Sequence, residues 1–291
     1  MLSSMLAAIP GPPRLSEMPK TAETVFNIFI FIPLGIALAI AIRHLTKGKG
    51  PVLLYCIIGG ALACTFEPMV DILGQVYLKE LHATGTFTIY DRTMPLYICF
   101  VYPWYVGGLG YLAYKLFERG VTTKMLFLLW ATDFVVDIFL ESPGILANTY
   151  LYYGKQPFNI WGFPMWWGFV NPVMPMLAGA MIYKLRPHLD SPWKLAAIIP
   201  CIPLADGMAN GATAWPMWIA LNQTEQHWVF TYAAGFITLG LALFAVWVIS
   251  LAVARPVEEV GHETLLEKLK AIAGISSSPR SRESGAPAIS A

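Results

Sequence analysis

Charged residues are scarce in this chain. Only 13% of its 291 residues are Asp, Glu, Lys or Arg, whereas 56% are apolar. Soluble domains of this size carry about 25% charged residues, and the mean hydropathy here is +0.57. The composition therefore predicts a membrane protein. The net charge of +1 gives no argument for nucleic acid, which we do not expect as a partner.

Lysine and arginine are missing from the centres of the long apolar stretches and lie at their ends or in loops. An anionic ligand such as a diphosphate would need basic groups or a metal for neutralisation. The stretch 228–253 has no lysine, which excludes a retinal Schiff base, and the histidines sit at the ends of stretches or in loops, which argues against a di-iron site. Because no C-x-x-C spacing occurs, neither a zinc site nor a disulfide framework is indicated. We expect no metal and no cofactor.

Seven apolar stretches are long enough to cross a bilayer. A hydrocarbon core about 30 Å thick needs roughly 20 residues of helix. The sequence therefore predicts an all-α, polytopic membrane protein, a bundle of about seven transmembrane helices at 25–43, 52–77, 94–117, 123–141, 164–184, 193–218 and 228–253.

Successive connections between the apolar stretches are alternately rich and poor in lysine and arginine. Cytoplasmic loops carry the excess of these residues in membrane proteins. The pattern predicts an N-terminus outside and a C-terminus in the cytoplasm. The connections assigned to the inside carry Arg43, Lys47, Lys49, Lys115, Arg119, Lys124, Lys184, Arg186 and Lys194, against Lys79, Arg92 and Lys155 outside.

The predicted bundle, 25–255, is flanked by two polar segments. Residues 1–24 have no apolar core of a signal peptide and are expected to form an outer segment. Within the cytoplasmic tail, 256–291, we expect a short amphipathic helix at 262–273 on the membrane face, followed by a disordered end. The membrane would be the plasma membrane of a bacterium or the endoplasmic reticulum of a eukaryote, and the oligomeric state is left open.

Six carboxylic acids lie inside the predicted helices. A charged side chain at a helix centre costs roughly 2.5–3.5 kcal/mol on insertion scales, so such residues are functional candidates. Acids four residues apart share a helix face, and like charges in a low dielectric do not all ionise. We therefore expect a proton donor beside a proton acceptor among the candidate catalytic residues Glu67, Asp71, Asp133, Asp137 and Asp206, with Glu141 as a binding group.

The depths of these acids place three of the six in one layer. At a rise of about 1.5 Å per residue, Glu67, Asp137 and Asp206 lie roughly 20–22 Å from the cytoplasmic side. Asn171 falls at a similar level, roughly 10 Å below the outer surface. The sequence thus predicts one acidic layer in the outer half of the bilayer.

Aromatic residues and two asparagines complete the predicted site. Ring faces stabilise cations, so Tyr102, Trp104 and Trp167 are expected to face a cavity, and Asn171 and Asn210 to orient a substrate. The aromatic residues at 150–169 also fit an interfacial belt. Both interpretations of that segment remain open.

The segment CTFEPMVD, which contains Glu67, resembles the acid-bearing second helix of the small seven-helix integral-membrane terpene cyclases of meroterpenoid pathways. The resemblance covers the architecture and this one residue. It implies protonation of an isoprenoid olefin or epoxide by buried acids without a metal. The second acid of that family belongs to a late helix; 228–253 has none, and Asp206 is a substitute by position alone.

Three functions follow from these patterns. The first is an acid-catalysed cyclase, hydratase or isomerase acting on a neutral lipid, with Glu67 or Asp137 as the proton donor; carotenoid cyclases and hydratases use similar chemistry. The second is a proton- or cation-coupled transporter whose acids form a relay. The third is a non-catalytic lipid-binding or assembly protein. The expected partners are the lipid bilayer and a hydrophobic small molecule.

Overall fold

The computed structural model describes residues 9–275, and this part of the chain is mostly helical with few strands. The predicted disordered end of the tail lies outside the described residues. In chain order the helices are α1 (Lys20–Thr46), α2 (Val52–Gly74), α3 (Leu96–Glu118), α4 (Thr123–Leu146), α5 (Met165–Val170), α6 (Val173–Leu185), α7 (Trp193–Thr213), α8 (Trp215–Leu221), α9 (Trp228–Val253), α10 (Val257–Val260) and α11 (Leu265–Ile272).

Five of these helices, namely α1, α2, α3, α7 and α9, are long and apolar enough to cross a membrane. Helix α4 has the length but carries Lys124 and three acids. The predicted stretch 164–184 is divided into the short helices α5 and α6, with Asn171 and Pro172 between them. Proline has no N–H and clashes with the carbonyl four residues earlier, which explains the break.

Helices α3 and α6 form the centre of the bundle. Helix α3 packs on α1, α2 and α6, and α6 packs also on α7 and α9. Small residues permit close approach of helix backbones in such bundles. A methyl group at Gly60 would lie 2.6 Å from the carbonyl oxygen of Tyr102, and one at Gly107 would overlap the Cys56 carbonyl.

Helix α1 lies at the edge of the bundle. It packs mainly on α2 and α3, and only 22% of its most apolar window is buried. The buried side of its middle section includes Phe26 and Ile30. This helix therefore has one face on the protein and a broad apolar face directed outward.

Six short strands cover one end of the bundle, which we call the strand end. They lie in the two connections α2–α3 and α4–α5 and pair antiparallel: β1 with β4, β2 with β3 and β5 with β6. The β1–β4 pairing joins the two connections. The strands are β1 (Val76–Leu78), β2 (Gly85–Ile89), β3 (Arg92–Pro95), β4 (Tyr150–Tyr152), β5 (Asn159–Ile160) and β6 (Phe163–Pro164).

Hydrogen bonds from buried glutamine side chains connect the strand end to the helices. Gln75 has a φ of 55° and ends α2, and its Nε2 donates to the carbonyl of Leu221 at 2.7 Å. The Nε2 of Gln226 donates to Gln75 Oε1 at 2.8 Å. The Nε2 of Gln156 donates to the Gly74 carbonyl at 2.8 Å. The bonds to the Leu221 and Gly74 carbonyls satisfy backbone groups at helix ends, and the bond between Gln226 and Gln75 joins the two amides.

Helix α11 lies within the predicted amphipathic segment 262–273. Thr264 and Glu267 form a capping box at its start, which is a strong helix N-terminal signal. Its apolar face contacts α3 and α4, and the buried Lys268 donates to the Arg119 carbonyl at 3.2 Å. The face that we expected on the membrane therefore contacts protein.

The close approach of α2 and α3 predicts a strong difference between two glycine substitutions. We expect Gly107→Ala to destabilise the fold by about 1–3 kcal/mol, because overpacking forces backbone shifts. Gly240→Ala in α9, where an added Cβ has no neighbour within 4 Å, should be neutral or stabilising by up to about 1 kcal/mol. Thermal unfolding of both variants in detergent measures the difference, and equal effects would contradict the packing.

Candidate functional site

A cavity of about 100 Å³ lies between the helices beneath the strand end. Its walls come from α1, α2, α3, α4, α5, α6 and α7, and from β1 and β4 of the strand end. Concave sites that are mostly apolar and carry a few convergent polar groups are the usual binding sites for small molecules.

Two pairs of carboxyl groups line this cavity. Glu67 and Asp71 come from α2, and Asp137 and Glu141 come from α4. In each pair the spacing of four residues puts both side chains on one helix face. A 3₁₀ turn at Cys64–Phe66 precedes the first pair, where Pro68 cannot continue the regular hydrogen-bond pattern.

Three of the four carboxyl groups accept hydrogen bonds from neighbouring side chains. The Tyr102 hydroxyl donates to Glu67 Oε2. The Tyr150 hydroxyl donates to Glu141 Oε2 at 2.6 Å, and the Tyr152 hydroxyl donates to the same oxygen at 3.3 Å.

One turn before Glu141 on α4, Asp137 Oδ2 accepts a hydrogen bond from Asn171 Nδ2 at 3.0 Å. No side chain or backbone group within residues 9–275 donates to the Asp71 carboxyl group, which lines the cavity and is 3% exposed.

The predicted site residues divide into two groups. The structure brings most of them to the cavity wall: Glu67, Asp71, Tyr102, Asp137, Glu141, Trp167, Asn171 and Asn210. The remaining three, Trp104, Asp133 and Asp206, do not line it.

Each of these three residues has a different location. Asp206 is fully buried behind Asn210, whose Nδ2 donates to Asp206 Oδ1 at 3.0 Å. Asp133 lies one turn before Asp137 on α4 and is partly exposed. The Trp104 indole N–H donates to the Ile30 carbonyl at 3.1 Å. Asp206 is thus connected to the cavity through one hydrogen bond.

Four cavity tyrosines were not among the predicted site residues. Tyr97 and Tyr105 lie on α3, and Tyr150 and Tyr152 lie on β4. Residues two apart in a strand point to the same side, so the pattern Tyr-Leu-Tyr could have indicated a shared tyrosine face. The structure places these two β4 rings against the cavity.

The cavity also presents donors that are free to bind a ligand. The hydroxyls of Tyr97 and Tyr105 and the indole N–H of Trp167 have no hydrogen-bond partner among the described residues. All three side chains line the cavity. In the same part of the chain, no three His, Cys, Asp or Glu side chains are grouped as metal ligands. The wall is therefore equipped to exchange protons and hydrogen bonds.

No protein-family model matches the chain, and comparisons with curated proteins and with solved structures likewise return no match. The chemistry of the cavity is therefore the guide to function.

The Asp137–Asn171 hydrogen bond predicts energetic coupling between α4 and the α5–α6 break. We expect Asn171→Leu to cost about 1–3 kcal/mol, because the buried carboxyl group loses its donor. In an Asp137→Leu background the same change should cost at least about 0.5 kcal/mol less. Unfolding of the two single variants and the double variant in detergent measures this, and strictly additive costs would contradict the pairing.

Proposed function

We propose that this chain is a membrane enzyme that catalyses an acid-initiated cyclisation, hydration or isomerisation of a neutral isoprenoid or other lipid, without a metal. The observation that carries the proposal is the composition of one cavity wall. Four carboxyl groups, five tyrosines and one tryptophan line the cavity, together with aliphatic residues and without lysine or arginine.

The required chemistry matches this wall. Protonation of an olefin produces a carbocation, which water would quench and which aromatic ring faces stabilise. A buried carboxylic acid can donate the proton, and a carboxylate can accept one at the end of the reaction. The absence of basic residues from the lining favours a neutral or transiently cationic ligand over an anion.

The location of the cavity suits a substrate that is dissolved in lipid. We propose seven spans, made of the five apolar helices, α4, and the broken pair α5–α6, with the N-terminus and the strand end outside. The acids of α4 face the cavity or lie beside it, which reduces the cost of placing that helix in a membrane.

The roles proposed for single residues follow their positions. Glu67, Asp71 and Asp137 exchange protons with the substrate, and Glu141 and the cavity aromatic residues hold it. Asn210 contacts the ligand and is oriented by Asp206. The likeness of CTFEPMVD to the second helix of meroterpenoid-type cyclases supports the part given to Glu67.

A proton- or cation-coupled transporter is the second candidate. The observation in its favour is the spacing of Asp133, Asp137 and Glu141, which places three acids along one face of α4 from a partly exposed position to the cavity. Such chains of acids form proton relays in pumps and transporters.

Removing one acid from each of α2 and α4 should abolish conversion of the substrate. We expect the double variant Glu67→Gln/Asp137→Asn to lose at least about 100-fold in turnover, because acid–base groups contribute about 10²–10⁴-fold. Lipid extracts of cells with the wild-type protein, the double variant or an empty vector give the readout by mass spectrometry. Glu118→Gln, at the end of α3 outside the cavity, is the matched control.

The outcomes separate the candidate functions. A cyclised, hydrated or isomerised lipid that requires Glu67 and Asp137 supports the enzyme. Identical lipid extracts from wild-type and empty-vector cells contradict it. Solute flux into proteoliposomes that follows an imposed pH gradient supports the transporter in its place.

The proposed orientation predicts the accessibility of two exposed positions. Leu15 is 91% exposed and Val257 is 59% exposed. In a background in which the four native cysteines are replaced by alanine, an impermeant maleimide should label Leu15→Cys in intact cells. The same reagent should label Val257→Cys only after lysis. The reverse pattern would invert the topology, and labelling of both in intact cells would contradict seven spans.

A further inference from the structure

We infer that Asp71 holds the proton that starts the reaction, and that Glu67, one helical turn earlier, is its ionised neighbour. The catalytic part of this inference rests on the proposed function. The location of the proton is a property of the protein alone and can be tested without a substrate.

The hydrogen bonds of the cavity distinguish Asp71 from the other three carboxyl groups. Glu67 accepts from Tyr102, Asp137 from Asn171, and Glu141 from two tyrosines of β4. For Asp71 the described residues provide no donor, although its side chain lines the same cavity. Asp71 is thus a buried carboxyl group that is open to a ligand.

This pattern determines where a proton is retained. Hydrogen bonds donated to a carboxylate favour its charged form, whereas burial without donors favours the neutral acid. Asp71 is 3% exposed, so the effect of burial applies to its side chain. A charge on Glu67 four residues away further opposes a second charge on Asp71. Each of these effects keeps the proton on Asp71.

Arg92 at the strand end is the basic side chain that opposes this assignment. Its guanidinium lies 5.2 Å from the centre of the Tyr77 ring and donates to the Tyr153 hydroxyl at 3.3 Å. Burial raises the pKa of Tyr153, which keeps that hydroxyl neutral. No ion pair or hydrogen bond joins Arg92 to Asp71 in the described part of the chain, and the guanidinium group contacts Tyr77 and Tyr153 instead.

The reaction can be written without any co-reactant. The Asp71 O–H bond breaks while the olefin π electrons form a C–H bond with that proton, which leaves a carbocation and the Asp71 carboxylate. After rearrangement or ring closure, a C–H bond beside the cation breaks and its electrons form a new olefin. The carboxylate of Asp137 or Glu141, both on the cavity wall, accepts that proton, and its return to the Asp71 carboxylate completes an isomerisation.

Infrared spectroscopy of the purified protein tests the location of the proton. At neutral pH, we expect wild type to show the carbonyl band of a protonated carboxyl group that the Asp71→Asn variant lacks. This band should shift in D₂O. Wild type minus Glu67→Gln should show loss of a carboxylate band. Loss of a carboxylate band from Asp71→Asn would overturn the inference.

A second variant allows the test to be made even if Asp71→Asn misfolds. Asp71→Glu retains the acid, so the protonated carboxyl band should move in frequency and remain present. Circular dichroism and gel filtration in detergent establish that each variant is folded. If Asp71→Asn does not accumulate, a change confined to the carboxylate region in Asp71→Glu would overturn the inference on its own.

Turnover in D₂O tests the catalytic part. We expect Asp71→Asn to lower kcat about 10²–10⁴-fold with a much smaller change in KM, and the wild-type product to carry deuterium at the protonated carbon. Glu67→Gln should lose less than Asp71→Asn and still introduce deuterium. The opposite order of the two variants would overturn the role of Asp71.

The two failures are distinguishable. If wild type converts no lipid but the infrared bands behave as expected, the proposed function is wrong and the assignment of the proton to Asp71 is retained. If wild type converts lipid and the infrared difference shows an ionised Asp71, the inference fails and the proposed function stands.

Discussion

The burial of carboxyl groups in an apolar bundle is the constraint on which the rest of this structure depends. An isolated buried carboxylate is too costly to retain its charge, so it must find hydrogen-bond donors or keep its proton. The donors here come from several elements: Tyr102 from α3, Asn171 from the α5–α6 break, and two tyrosines from β4. The acids therefore specify how these elements must be arranged around the cavity.

The strand end connects the stability of the fold to the chemistry of the cavity. Strand β4 delivers Tyr150 and Tyr152 to Glu141, and it holds its position by pairing with β1. Strand β1 follows Gln75, which the buried amide network fastens to α8. Disturbing these amides should therefore alter the cavity although they lie outside its lining, since a donor displaced by about 1 Å no longer makes its bond.

Hydropathy alone predicted the helical, membrane-like character of the chain, and each predicted stretch contains helix. Hydropathy does not show which face of a helix packs on which neighbouring helix. The residues of the site could therefore be predicted only in part. The spacing of Glu67 with Asp71 and of Asp137 with Glu141 was enough to expect shared faces. The β1–β4 pairing depends on residues far apart in the chain, so Tyr150 could not be assigned to the cavity from its own segment. For the same reason Asp206 was grouped with the acids of the cavity, although its own carboxyl group lies outside the lining and is hydrogen-bonded to Asn210.

Helix α1 gives the cavity a single layer of protein on one side. Phe26 and Ile30 line the cavity, while most of the outward face of this helix is uncovered apolar surface. In the proposed membrane setting, a ligand leaving past α1 enters hydrocarbon directly, without crossing water. Its effective concentration is then its mole fraction in the bilayer, and an affinity expressed per volume of buffer changes with the amount of lipid in the sample. The occupancy of the cavity would thus depend on the concentration of the ligand within the membrane.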